Sequence, residues 1–126
     1  MNDITRQIRI GTLGELLVQL RFLEHNVQAA PPLKDSGNDL IAIRGNIFRA
    51  IQVKTTRGNR YSRACLPSSY HILAVVKLVG NEESVLLDES FVFLIPKDEV
   101  GTAPRNISRL EKFRMTPDHV NTLFQT

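Results

Sequence analysis

Leu13, Leu16, Leu17, Leu20 and Leu23 recur at steps of three and four residues, the spacing that lines one face of a helix. The pattern predicts a helix from Ile4 to about Glu24, ended by His25-Asn26. Gly11 and Gly14 are unusual inside it, because each weakens a helix by about 1 kcal/mol relative to Ala. They suggest either a late start near Thr12 or the close approach of another backbone. Val27 to Ala30 then reads as a short strand closed by Pro31-Pro32, and Lys34-Asp35-Ser36-Gly37-Asn38 as a loop. Two β-rich runs follow, Asp39 to Arg44 and Ile47 to Thr55, split by Gly45-Asn46, a strong tight-hairpin signal. Arg57 to Ser69 reads as a long irregular loop. Tyr70 to Leu78 and Phe91 to Ile95 read as further strands, with room for a short one at Val85-Leu86-Leu87. Pro96 ends the sheet pattern, and Arg105 to Arg114 is a basic connector. Thr116-Pro117-Asp118 opens a short last helix, with Thr as cap and Pro in the first turn.

A helix, five strands and a helix, in that order, predict an α/β (α+β) domain with a central mixed sheet flanked by helices. With 126 residues and no repeat, low-complexity tract or linker, residues 1–126 are expected to form one domain. No segment approaches the ~20 apolar residues of a membrane span, and Met1 to Arg9 lacks the apolar run of a secretory signal. Cys65 is the single cysteine, which excludes an intramolecular disulfide and a cysteine-rich metal site. A reducing, cytoplasmic compartment is the expectation. The neighbours of Cys65, Ser62-Arg63-Ala64 and Leu66-Pro67, carry no signature of a paired base, so it reads as buried or incidental. The net charge of +3 permits an anionic partner without demanding one.

Candidate chemistry sits at the open end of the hairpin. With Gly45-Asn46 as the central turn residues, Arg44 pairs with Ile47, Ile43 with Phe48, Ile41 with Ala50, and Asp39 with Gln52. Directly opposed residues share a face with Cβ atoms about 5 Å apart. Alternation adds Lys54 to that face, beyond a surface of Ile41, Ile43, Phe48 and Ala50. A hard divalent cation would use Asp39 and the Gln52 side-chain oxygen as ligands, helped by a main-chain carbonyl and water. Lys54 would then orient or deprotonate the attacking water, or offset phosphate charge. The alternative is an Asp39–Lys54 salt bridge at the sheet edge with Gln52 solvated, and a one-residue change of turn length would separate Asp39 from Gln52.

Gly37-Asn38-Asp39-Leu40-Ile41-Ala42-Ile43, a short turn, then Ile51-Gln52-Val53-Lys54-Thr55 resembles the core of the PD-(D/E)XK nuclease superfamily. The Gln-Val-Lys-Thr form looks most like its group-I-intron-associated endonucleases, and the superfamily also includes Holliday-junction resolvases. Gly11-Thr12-Leu13-Gly14-Glu15-Leu16 matches as well, as do the Tyr70–Val76 and Phe91–Pro96 segments, so the resemblance covers about residues 8 to 97. It implies a restriction-endonuclease-like fold and Mg²⁺- or Mn²⁺-dependent hydrolysis of DNA phosphodiester bonds. It also implies Glu15, Asp39 and Gln52 as metal ligands and Lys54 as the catalytic lysine. Asn38 stands where the motif's proline would be. Gln52 stands where an acidic residue is usual, which removes one negative charge. A catalytically weak or inactive module that binds nucleic acid or protein is therefore the alternative.

Glu15 lies off the centre of the leucine stripe, so it reaches the site only if the helix meets the sheet on that flank, which Gly11 and Gly14 would permit. Its alternative is a solvent-exposed residue paired with Arg21 or Gln19. Arg57, Arg60 and Arg63 after Lys54, and Lys34 before Asp39, are the expected DNA-phosphate contacts, with Tyr61 available to stack or pack on a sugar. His25, His71 and His119 are too scattered for a metal cluster. The first helix and Val85 to Ile95 are candidate surfaces for a homodimer or higher oligomer, since compact nucleases often need two sites to cut two strands.

Overall fold

Helix α1 (Asp3–Glu24) opens the chain in the computed structural model, which describes residues 3–33, 37–81 and 84–125, with side chains from Arg6 onward. Five strands follow: β1 (Gln28–Ala30), β2 (Leu40–Arg44), β3 (Ile47–Thr56), β4 (Ile72–Lys77) and β5 (Phe91–Pro96). They form one sheet in the order β1-β2-β3-β4-β5, antiparallel throughout except for the central β3–β4 pair, which is parallel. A parallel pair needs a long crossover, and residues 57–71 supply it without a helix. Two short helices, α2 (Lys97–Val100) and α3 (Pro117–Leu123), complete the chain. Thr116 caps α3 by accepting from the His119 N–H, as its sequence predicts.

The hairpin register is the expected one from Arg44–Ile47 through Ile43–Phe48 to Ile41–Ala50, but the ladder ends at Leu40–Ile51, so the expected Asp39–Gln52 pair does not form. Of the two central turn residues only Gly45 takes a positive φ, 59°, which fits a type II′ turn. The expected strand at Val85 to Leu87 does not form. Val85 makes an isolated bridge to Gly80, and Leu87–Glu89 is a 3-10 turn. Pro96 closes β5 at the outer edge of the sheet, where a missing N–H is tolerated. The chain then enters α2, a helix too short for a periodic signal in the sequence.

One face of the sheet buries Leu40, Ala42, Ile51, Ile72, Ala74, Val76, Val92 and Leu94 under α1 and α3, where Phe22 of α1 and Phe124, just after α3, meet edge to face. The other buries Leu73, Val75, Phe93 and Ile95 under the 57–71 crossover, α2 and the 107–113 turns, with Tyr61 and Tyr70 among them. The orientation of α1 corrects the leucine-stripe reading. Leu17, Val18 and Phe22 are buried, while Leu16, Leu20 and Leu23 stand 54%, 48% and 61% exposed. Gly14 explains the rotation. A Cβ there would lie 1.8 Å from Thr55 Oγ1, so the Gly14 side of the helix presses on β3 and brings Val18 and Phe22, one and two turns later, inward with it. Close approach is thus the reason for Gly14. The helix does not start late, and Gly11 has open space beside it.

Candidate active site

β2 pairs with β3 only as far as Leu40–Ile51, whereas β3 runs on to Thr56. Its last five residues therefore have no ladder partner on the β2 side, and a cavity of about 430 Å³ opens along that free edge. Gln7, Ile10, Gly11 and Glu15 of α1 line one wall, Val53, Lys54, Thr55, Thr56 and Arg57 the other, and Asp39 closes the end.

Asp39 sits where the hairpin unzips. Its N–H donates to the Ile51 carbonyl (3.2 Å), and its Oδ2 accepts the Val53 N–H (2.8 Å). The carboxylate thus takes the ladder position that a further β2 residue would have filled. That fixes its orientation and satisfies a main-chain donor which would otherwise be left open. Glu15 arrives from the helix because the rotation set by Gly14 turns it toward the sheet. Its carboxyl is held above the usual value of 4.5, first by burial and then by the negative charge of Asp39.

Gln52 is 6% exposed and does not line the cavity. Its Nε2 donates to the Gly37 carbonyl (2.8 Å) and to Asn38 Oδ1 (3.0 Å). A carbonyl can only accept, so the amide nitrogen must face Gly37, and the side-chain oxygen is the atom left for any other partner. Lys54 donates from Nζ to the Ala64 carbonyl (2.7 Å), which ties it to the crossover. No Asp39–Lys54 salt bridge forms among the described residues, and Arg21 pairs with Glu24 (2.8 Å), not with Glu15. Two carboxylates and an ammonium around one cavity make a donor set suited to a hard cation and a phosphate oxyanion. No group of three or more His, Cys, Asp or Glu residues is assembled among the described residues, so any metal here would rest on the two carboxylates plus neutral oxygens.

The basic residues divide. Arg57 lines the cavity and donates to the Gly80 carbonyl (2.9 Å). Arg60 is exposed, at an isolated bridge to Asn106. Arg63 is half-buried and donates to the Val100 and Ala103 carbonyls, pinning the crossover to the end of α2. Lys34 lies outside the described residues. Tyr61 does not serve as an open stacking surface: it is 2% exposed inside the second core, and its hydroxyl has no hydrogen-bond partner among the described residues. Each histidine bonds the main chain. His25 meets Arg21 O, His71 Nδ1 accepts from Ala50 N–H, and His119 meets Leu94 O. Cys65 is exposed, not buried, with φ of 61°.

Sequence reading missed the open β3 edge, because it depends on β2 beginning only at Leu40. It also missed Thr55, Thr56 and the α1 residues Gln7 and Ile10 as cavity walls. Helical spacing places Gly11 one turn before Glu15 on the same side of the helix, and that is the signal the sequence offers for this wall.

No helix is long and apolar enough to cross a membrane among the described residues. No protein-family profile and no curated protein sequence matches the chain. Among solved structures the fold is similar to that of a bacterial homing endonuclease, across 90% of this chain and 87% of the other, with a TM-score of 0.60 and 16% sequence identity. At that identity the likeness is one of fold: a nuclease-like architecture of a five-stranded mixed sheet flanked by helices.

Proposed function

We propose that this protein is a metal-dependent DNA endonuclease of the PD-(D/E)XK type, acting in resolution, homing or repair. The observation that carries the reading is the convergence of Glu15, Asp39 and Lys54, from three separate segments, on one cavity along the unpaired edge of β3. The similarity in fold to a homing endonuclease supports it independently.

Glu15 and Asp39 would hold Mg²⁺ or Mn²⁺, with the Gln52 side-chain oxygen as a neutral donor. The cation would supply Lewis-acid polarisation of the scissile phosphate and a lowered pKa for water. Lys54 orients the attacking water or offsets charge on the phosphate, and the Ala64 carbonyl holds its Nζ at the cavity. Arg57 contacts the DNA backbone beside the reacting group, and Arg60 extends that contact along the crossover. The outward leucines of α1, Leu16, Leu20 and Leu23, provide an apolar face for a homodimer, which would bring two such cavities to one duplex.

Incubation with supercoiled and branched DNA in Mg²⁺ or Mn²⁺ tests the reading, with Lys54→Ala alongside. Cutting that needs metal and disappears in the variant is the expected result. Nicking that survives Lys54→Ala would place the activity elsewhere.

A second reading keeps the fold as a binding module with little or no catalysis, and the neutral Gln52 tethered to Gly37 and Asn38 favours it. Titration calorimetry with Mn²⁺ separates the two. Binding supports the nuclease, and its absence at millimolar metal supports the module.

A further inference from the structure

The crossover after Lys54 is fastened along its length to a segment some 45 residues later in the chain. Tyr61 N–H donates to the Arg105 carbonyl (3.2 Å), Ile107 N–H donates to the Asn59 carbonyl (2.8 Å), and Arg60 bridges to Asn106. This pairing sets the Arg105 backbone opposite Tyr61, one position along from Arg60. Arg109 follows in the 3-10 turn Ile107–Arg109, whose start is fixed by Asn106 Oδ1 accepting from the Ser108 N–H.

The four cations of the C-terminal connector are not equivalent. Lys112 pairs with Glu99 (3.8 Å) and Arg114 with Glu111 (3.3 Å), and both also lie over phenylalanine rings. Arg105 and Arg109 are exposed and make no ion pair or side-chain hydrogen bond among the described residues, as is true of Arg60. The uncompensated charges are therefore the ones strapped to the crossover that leaves the cavity. Uncompensated positive charge on a surface of this kind favours a polyanionic partner.

We infer that Arg105 and Arg109, together with Arg60, form a second phosphate-contacting arm that holds duplex DNA across the crossover, beyond the cavity itself. This inference rests on the DNA-endonuclease reading. It adds to that reading an interface element that the linear sequence separates from the motif residues. Guanidinium groups on fixed backbone would contact successive phosphates without reading base sequence.

The test measures the affinity of the full chain for a short duplex in chelator, across a salt series, for the wild type and Arg105→Ala/Arg109→Ala. Losing two phosphate contacts flattens the slope of log affinity against log salt by roughly 1.8, so the wild type should lose about 12-fold more affinity than the variant between about 50 and 200 mM salt. Arg105→Lys/Arg109→Lys should keep the wild-type slope. Lys112→Ala/Arg114→Ala removes the same formal charge from paired positions and should also leave the slope unchanged. An unchanged slope in the Arg105/Arg109 alanine pair, an equal flattening in the Lys112/Arg114 pair, or a lysine pair as flat as the alanine pair overturns the second arm while DNA binding stands. A wild type with no salt-dependent affinity for the duplex overturns both the arm and the nuclease reading.

Discussion

Gln52 carries two obligations that an acidic residue at the same position could not meet together. Its amide nitrogen closes the loop before Asp39 by donating to Gly37 and Asn38. Asn38 can turn its own amide to donate instead, but the Gly37 carbonyl cannot. Gln52→Glu would therefore set a carboxylate against an acceptor, and a buried group left unsatisfied costs about 1–3 kcal/mol. We expect this variant to unfold at lower denaturant in chelator than the wild type, despite restoring the charge usual in the motif. Equal or greater stability would mean that the tether contributes nothing. Glu15 gives a second prediction at this scale. Its carboxyl binds its proton more tightly in the fold than in the unfolded chain. The stability this contributes is fully present below pH 4.5 and is lost as pH rises through the raised value. Glu15→Gln should thus raise the melting temperature near neutral pH in chelator, with the gain vanishing in acid. With Mn²⁺ present the order should reverse, because only the wild type gains from holding the cation.

At the scale of elements, two glycines one turn apart in α1 predict opposite outcomes. Gly14→Ala places a Cβ 1.8 Å from Thr55 Oγ1 and 2.9 Å from Thr55 Cβ, so helix and strand must separate. Overpacking of that kind costs about 1–3 kcal/mol and outweighs the better helix propensity of Ala. Gly11→Ala meets nothing within 4 Å and should stabilise by roughly 0.5–1 kcal/mol. Chemical denaturation of the two variants checks both signs. The hairpin was legible in the sequence because its information is local: a Gly-Asn turn and strict alternation set every pair from Arg44–Ile47 back to Ile41–Ala50. The rotation of α1 was not legible. Leu16, Leu20 and Leu23 look like core by composition, and only the contact of Gly14 with Thr55, some 40 positions away, turns them outward. The parallel sense of β3 and β4, the burial of Tyr61 and the anchoring of Arg63 at α2 depend likewise on distant partners. Of the candidate site, register in the sequence predicts Asp39 opposite Gln52, but the ladder stops at Leu40–Ile51 and the Asp39 carboxylate takes the Val53 N–H instead. The division of Asp39, Gln52 and Lys54 into cavity wall and buried tether follows from where that ladder stops.

For the whole molecule, the outward ridge of α1 flanks an apolar groove lined by Ala29, Ala30, Ile41 and Ile43, at the edge of the sheet carried by β1. We expect a dimer in light scattering, reduced to a monomer with unchanged circular dichroism by Leu20→Glu/Leu23→Glu. A monomeric wild type, or a double variant that stays dimeric, would remove the ridge as the interface. The crossover between β3 and β4 has a consequence of another kind. Although irregular, it is fastened throughout: Lys77 Nζ donates to the Arg57 and Gly58 carbonyls (2.8 and 2.7 Å), Tyr61 is sunk in the core, Arg63 is tied to α2 and Ala64 is held by Lys54. An arriving polyanion would meet a surface already in its final shape. Association would then proceed at the pace of diffusional encounter guided by charge, with no waiting time for a segment to fold.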